Sequence, residues 1–523
     1  MSAPEINPAD YEAALADIRI RLGDDAVLTG EAAHEFRDPY DPLDESHYPA
    51  AVVQPSTVEE VQAVVRAAAR HGVPLWTSSQ GRNNGYGGSA PVIGGTIVVN
   101  LRRMDRIEID EELGLAVVEP GVRFFDLVEE LRRRGNRWWT SAPSLGWGSV
   151  LGNTADHGFG YTEYGDHAAH VPALEVVLPD GSLLRTGMWA SSASRAPHPR
   201  GFGPNVTPLF LQSNLGIVTK LARPLTPRPE VYAPLTIKAP AAADVGPLVD
   251  AMRILTTEGT ITNIPNLTTA LGAAAMRKPR DEWYDGGVPI PDDVYQQMCE
   301  ELALGWWNCV AALYGPAAVV QARLARVREV VREHVPDAEV TVKMISGSEI
   351  DDEIESLTHR EALQAGRPSL VMLETAKWRG EDGGHLEISP IGRATAQDVQ
   401  RMIEILRPVV EAEGYDFWPS LYVIKRSMMF LCVLNYDRFD PESIAAAYRV
   451  ARRAYPALAK AGYLPYRGNI RVMDMMQDQF DWNDHAIRRF TELLKDALDP
   501  AGVLSPGKQG IWPERFRSLR QSD

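Results

Sequence analysis

The sequence predicts an α+β fold of two domains, one of them discontinuous. Three observations point that way: a strand, helix, strand opening followed by two glycine-rich loops, a change near Val231 to long helices alternating with apolar strands, and a loop-rich tail that resumes the style of the beginning. The length of 523 residues agrees, since a single hydrophobic core stops growing near ~250 to 300 residues. With 45% hydrophobic and 24% charged residues, the chain belongs with folded globular proteins rather than disordered or fibrous ones. Its net charge of -17 repels phosphate backbones and anionic lipid, which argues against a nucleic-acid or membrane role.

Residues 8–22 read as a helix that starts at Pro8 and stops at Gly23. In AVVQPSTVEEVQAVVRAAARHGVPLWT, a strand at 51–54 leads to Thr57 and Glu60 at capping-box spacing, an amphipathic helix to His71, a Gly72 stop and a strand at 74–77. The loop from Ser78 to Pro91 carries Gly81, Gly85, Gly87 and Gly88. Such a backbone is free to take positive φ and to turn N–H groups toward an anion, a diphosphate being the natural guest. It runs into a strand at 96–101 instead of opening a helix, which disfavours a nicotinamide Rossmann site. A strand at 116–119 and a helix at 124–134 precede the second glycine-rich segment, Ser144 to Asp166. Two such loops suggest one elongated ligand held at several points. The hairpin ALEVVLPDGSLLRT and a strand around Ile217 complete the first region, 1–230.

From 231 to 465, helices at 317–334, 396–413 and 441–461 and strands at 420–425 and 429–435 predict an antiparallel sheet covered on one face by helices. Residues 466–523, with a helix capped near Asn483 or Asp484, read as a return to the first domain. Cys299, Cys309 and Cys432 stand in mostly apolar contexts without CxxC spacing and read as buried packing residues. The N-terminal stretch has neither the basic start nor the apolar core of a signal peptide, and no later stretch has the apolar length of a membrane span. A reducing, cytoplasmic setting is expected.

The segments GRNNGYGG (81–88), GWGSVLGNTADHGFGYTEYGDH (146–167), QSNLGIVTK (212–220), GGHLEISP (383–390) and LDPAGVLSPGKQGIWP (498–513) resemble the vanillyl-alcohol oxidase / 4-cresol dehydrogenase flavoprotein family, nearest its eugenol oxidase branch. The resemblance spans nearly the whole chain in order. It implies a bipartite FAD-binding domain of the PCMH type, built from 1–230 and 466–523, and a cap domain at 231–465 that holds the substrate. It implies FAD contacts from Ser79, Gly81, Arg82, Asn83, Asn84, Gly85 and Gly87, from Gly148, Ser149, Gly152 and Asn153, and from Asn214, Gly216 and Ile217. Lys508, with Gln509 beside it, falls near the pyrimidine end of the flavin. His385 matches the histidine that tethers the flavin through its 8α carbon; taken alone, it reads as a histidine at a strand edge after a Gly-Gly turn. Such a tether withdraws electron density from the flavin and favours hydride uptake, while the redox chemistry remains the cofactor's.

The family's reaction is oxidation of para-substituted phenols at the benzylic carbon. It needs the phenolate, and an unperturbed phenol with pKa ~10 provides almost none at neutral pH. Two hydroxyl donors and one guanidinium would stabilise the anion. Tyr86 and the pair Tyr466-Arg467 match that clamp, although outside the resemblance a Tyr in a glycine-rich turn and a Tyr-Arg pair read as surface cover. Tyr161 matches a tyrosine near the substrate cavity, with core packing as the equal alternative. Ser144 stands where the family's oxidases carry an aspartate near flavin N5, and a serine without a base beside it takes up no proton at neutral pH. The acid of the dehydrogenase branch is missing near Tyr422, Met372 falls at a position that is acidic in eugenol oxidase, and Glu374 and Glu387 are the nearby carboxylates. With fewer acids in the cavity, vinylphenol products are expected over benzylic alcohols.

Expected partners are a small phenol, O2 as electron acceptor with H2O2 released, and a second copy of the chain in a homodimer or multiple of dimers. The alternatives are a dehydrogenase that passes electrons to a cytochrome or copper protein, a sugar or hydroxy-acid oxidase on the same FAD domain, and a non-catalytic flavin binder. His157 and His167 lie in the second glycine-rich segment without a carboxylate-rich shell, and no metal is assigned.

Overall fold

A computed structural model describes residues 7–194 and 197–520. The first sheet is small and buried: parallel strands Ala51–Val53, Ile97–Asn100 and Leu75–Ser78, with Val27–Thr29 antiparallel at one edge. Parallel strands need a crossover, and the helix Val58–His71 provides it. Thr57 starts that helix by accepting from the Glu60 N–H, and Gly72 ends it in the left-handed region. Its apolar stripe, Val61, Val64, Val65 and Ala68, packs with Ala14, Leu15 and Ile18 of the helix Pro8–Leu22.

The second sheet is antiparallel, in the order Ile107–Asp110, Leu115–Val118, Ile217–Pro224, Leu174–Val177, Leu183–Arg185. The chain tail joins the first sheet: the Leu75 N–H donates to the Val503 carbonyl at 2.7 Å and the Ser505 N–H to the Leu75 carbonyl at 2.8 Å. Lys495, fully buried, anchors it by donating to the carbonyls of Asn214 and Leu504 and pairing with Asp499 at 2.8 Å. The helix Trp482–Leu498 differs from expectation at its start. Asn483, Asp484 and His485 all take positive φ, so no side chain caps the helix there. Asn and Asp tolerate the left-handed region better than other side-chain-bearing residues, which is why a cap signal and a left-handed turn look alike in sequence.

The largest sheet, ten-stranded among the described residues, contains the strands from Val231–Ala239 to Leu464–Pro465, every pair antiparallel. The helices Val245–Thr257, Ala317–His334, Ala396–Ala412 and Pro441–Lys460 share a core with one face of it. Strand alternation settles what the other face presents. Leu267, Cys309, Ala311, Leu421, Phe430 and Cys432 join that helix-covered core, whereas Asn266, Thr268, Val310, Ser420, Tyr422, Leu431 and Val433 line a cavity. The three cysteines are free and buried. Among the described residues, no helix is long and apolar enough to cross a membrane.

Candidate active site

The cavity has a volume of about 370 Å³, with part of the sheet face opposite the helices on one side and both glycine-rich loops on the other. Of the residues singled out in the sequence, Ser79, Gly81, Arg82, Asn83, Asn84, Tyr86, Gly87, Ser144, Gly148, Ser149, Gly152, Asn153, Tyr161, Asn214, Gly216, Ile217, His385, Arg467 and Lys508 all line it. Gly85 and Tyr466 do not.

Gly85 stands just behind the lining. Its φ is +81°, and a Cβ there would lie 2.8 Å from Glu387 Cγ and 3.0 Å from His385 Cδ2. Only glycine lets the first loop lie against the strand Gly383–Ile388, with the Glu387 N–H donating to the Gly85 carbonyl. Gly152 serves the same purpose beneath Ser79, whose Oγ occupies the space of a side chain. Ser149 caps the short helix Val150–Ala155 and donates to the Pro120 carbonyl at 2.6 Å. Asn214 is turned toward the tail, its Nδ2 donating to the carbonyls of Ser505 and Ile511, while its buried Oδ1 has no partner among the described residues.

His385 is buried on its strand. Its Nε2 lies 3.1 Å from Glu387 Oε1, and its Nδ1 has no partner among the described residues. Tyr86 is buried too, with an unpartnered hydroxyl. Burial, then the charge of Glu387, holds that phenol well above its ordinary pKa, so it stays an O–H donor. The Arg467 guanidinium lies 4.8 Å from the Tyr86 ring centre and 5.6 Å from that of Tyr466. Burial opposes its charge, but the Asp156 carboxylate beside it leaves its pKa raised. Tyr466 departs from the expected clamp: its hydroxyl donates to the His157 carbonyl, and the side chain lines a smaller adjoining cavity. His157 has a φ of 53°, a left-handed turn whose carbonyl is the acceptor nearest to that hydroxyl. The three clamp residues therefore meet as rings and guanidinium, with one hydroxyl of the two engaged elsewhere.

Ser144 Oγ lies 3.1 Å from the Tyr161 hydroxyl, which lies 3.2 Å from that of Tyr422. This is a chain of hydroxyls without a base. Tyr161 both lines the cavity and packs with Ile264 and Tyr422. The carboxylates separate: Glu387 lines the cavity, while Glu374 is half-exposed and paired with Lys377 at 3.1 Å. Met372 is in the lining. Lys508 lies 5.6 Å from the Trp76 ring centre, its pKa lowered by burial despite Asp156. Gln509 donates to Asp156 at 3.1 Å. His167 Nδ1 lies 2.7 Å from Asn153 Oδ1, and burial holds its pKa well below the ordinary histidine value. Among the described residues, no cluster of three His, Cys, Asp or Glu side chains could hold a metal.

Sequence reasoning missed Asp156, Arg360 and Trp418, which also line the cavity. Asp156 accepts from Arg467 Nε at 2.9 Å and from Asn83 at 2.8 Å. Its signal was an acid inside the second glycine-rich segment. Arg360 gave none.

A family model described as FAD binding domain matches residues 49–187. Over 517 residues the chain is 32% identical to the 4-cresol dehydrogenase (hydroxylating) flavoprotein subunit of Pseudomonas putida, covering 97% of this chain and 96% of that one. Among solved structures, the 4-ethylphenol oxidase from Gulosibacter chungangensis, in complex with isoeugenol, aligns with a TM-score of 0.93 at 32% identity, over 99% of this chain and 100% of that one. The p-cresol methylhydroxylase with substrate bound aligns with a TM-score of 0.90 at 30% identity, over 100% of this chain and 99% of that one.

Proposed function

From its membership of the vanillyl-alcohol oxidase / 4-cresol dehydrogenase family, FAD-dependent oxidoreductases of para-substituted phenols to which this chain belongs, we propose that it oxidises 4-alkylphenols, eugenol-like allylphenols and vanillyl alcohols through the bound phenolate. The observation that carries this reading is a buried Tyr86 hydroxyl without a partner, set against the Arg467 guanidinium in the same cavity as His385 and both glycine-rich loops. The cavity fits FAD: both glycine-rich loops line it, and Tyr86 Oη, His385 Nδ1 and Asn214 Oδ1 are buried polar atoms in want of partners. When bound, the flavin supplies the hydride acceptor for the benzylic carbon.

The chain's own residues prepare the substrate. Arg467 gives a buried positive charge, Tyr86 a hydroxyl that stays protonated, and together they favour the phenolate over the phenol. Tyr466 joins them in this proposal by turning its hydroxyl from His157. Phenolate charge pushed to the para carbon weakens the benzylic C–H bond, and hydride loss leaves the substrate a quinone methide.

Ser144 Oγ has a hydroxyl neighbour, and both carboxylates of the lining are engaged, Glu387 with His385 and Asp156 with Arg467 and Asn83. The quinone methide is therefore proposed to lose a Cβ proton, which passes to solvent water, more often than it gains water at the benzylic carbon. Turnover of 4-ethylphenol should give mostly 4-vinylphenol, and Ser144→Asp should raise the share of alcohol. A product that is almost only 1-(4-hydroxyphenyl)ethanol in the parent enzyme would sink this account.

His385 is proposed as the covalent anchor of the flavin, supported by its unpartnered Nδ1 in the lining. After acid precipitation the yellow colour should stay in the pellet, and for His385→Ala it should move to the supernatant. O2 is the proposed acceptor, with H2O2 released, as the name of one relative, an oxidase, supports. The other relative is named a flavoprotein subunit, which favours a redox-protein acceptor as the second reading. Oxygen-electrode traces with and without an artificial acceptor separate the two.

The division into FAD-binding segments 1–230 and 466–523 and a cap at 231–465 is likewise proposed, supported by the pairing of the tail with Leu75. A homodimer is supported by an apolar stripe on the helix Trp482–Leu498, and a cytoplasmic setting by three free thiols.

A further inference from the structure

Three guanidinium groups line the cavity and differ in how their charge is met: Arg82 lies over the Trp147 ring, 4.7 Å from its centre. Arg467 is paired with Asp156 at 2.8 Å and lies against Tyr86 and Tyr466. Arg360 lies instead beside Asn266, Gly272 and Trp418: it donates to Asn266 Oδ1, and a Cβ on Gly272 would sit 3.5 Å from its Nη2 and 3.6 Å from Trp418. Among the described residues, no carboxylate comes within ion-pair range of it. In a chain with 70 Asp and Glu against 53 Lys and Arg, a cavity cation without a counter-charge is an incomplete site, because an amide oxygen meets a hydrogen bond of the guanidinium but not its charge.

His359, next to it, also lines the cavity. Ser369 Oγ accepts from the Val371 N–H at 3.2 Å and lies 2.9 Å from His359 Nδ1. When the Ser369 O–H donates to Nδ1, the ring proton is on Nε2, a buried atom without a partner among the described residues. Burial, then the charge of Arg360, pushes the His359 pKa down to about 4, and the ring is a neutral donor at working pH.

We propose that Arg360 and the Nε2–H of His359 form a carboxylate subsite, and that the preferred substrates are phenols whose para side chain ends in a carboxylate, such as 3-(4-hydroxyphenyl)propanoate. This rests on the phenol-oxidation reading: the phenolate is held at Tyr86 and Arg467, and the acid lies at Arg360. The subsite adds recognition of the side chain and leaves the chemistry at the benzylic carbon unchanged.

The test compares kcat/KM for 3-(4-hydroxyphenyl)propanoate and its neutral amide in the holoenzyme. A charge-assisted pair predicts a preference for the acid of roughly 10- to 100-fold. The ratio should fall to near one in Arg360→Met, stay partly in Arg360→Lys, and drop several-fold in His359→Gln. A ratio near one in the parent enzyme, or one unchanged by Arg360→Met, overturns the proposal while phenol oxidation stands. If neither compound is turned over, titration of each against flavin absorbance decides: tighter binding of the acid that Arg360→Met abolishes keeps the subsite and ends the phenol reading, and equal or absent binding ends both. The parent ratio and the Lys and Gln variants decide the matter even where the Met variant does not fold.

Discussion

Asp156 shows how one side chain sets the working state of another. It accepts from Arg467, Asn83 and Gln509 together, which fixes the guanidinium beside Tyr86 while cancelling part of its field. Much of the phenolate's stabilisation then falls to hydroxyl donors. Tyr86→Phe should lower kcat/KM on 4-alkylphenols by roughly 10- to 100-fold. It should also move the rising limb of the pH profile to higher pH, because a less stabilised phenolate needs a more alkaline solution; an unmoved limb would remove Tyr86 from the clamp. Tyr86, His385 and Arg467 were legible because each sits in a motif read as a unit. The Arg467–Asp156 pair was not: its members are 311 residues apart, and no local pattern announces a contact that only the finished fold creates. Arg360 was hidden for the same reason, since a lone arginine near a helix start reads as solvent-exposed.

At the scale of elements, the two-residue period of the strands divides core from cavity. Leu421 faces the helices and Tyr422 the cavity on consecutive residues, so a one-residue slip would exchange them. The elements named from the sequence were readable because apolar periodicity and turn residues are local properties, whereas the strands Val231–Ala239 and Trp307–Gly315 and the helix Val245–Thr257 fell only under a general alternation of helix and strand. The local pattern failed at the start of Trp482–Leu498, where Asn483–Asp484 form a left-handed turn. Gly85 joins two elements, the first glycine-rich loop and the strand that carries His385. Gly85→Ala combines a positive φ with a Cβ 2.8 Å from Glu387 Cγ. It should cost about 1–3 kcal/mol and reduce the flavin content of the purified protein, as read from the ratio of visible to ultraviolet absorbance. Parental stability and flavin content would show that the approach is looser than described.

For the whole molecule, two consequences concern its exterior and its pH range. The helix Trp482–Leu498 is inverted: Arg488, Glu492 and Lys495 are buried, while Trp482, Ile487, Phe490 and Leu493 are exposed by half or more. Apolar surface of this kind on a folded chain marks an interface, and Phe490→Glu should halve the sedimenting mass of the proposed dimer. An unchanged mass would place the dimer contact elsewhere. Histidines held neutral by burial govern acid stability. For His359, burial and then Arg360 lower the folded pKa from 6.5 to about 4, so the unfolded chain binds the extra proton first as pH falls. This contribution is complete above pH 6.5 and is lost on descent toward about 4, worth at most about 3 kcal/mol. Urea unfolding at several pH values should show that loss, and His359→Gln should flatten it.

The central claim is that the cavity oxidises phenols as their phenolates. The measurement that tests it most directly is anaerobic mixing of the holoenzyme with 4-ethylphenol and, separately, with its methyl ether, which cannot ionise. The account predicts rapid loss of visible flavin absorbance with the phenol and none with the ether. Equal bleaching by both, or by neither, would contradict it.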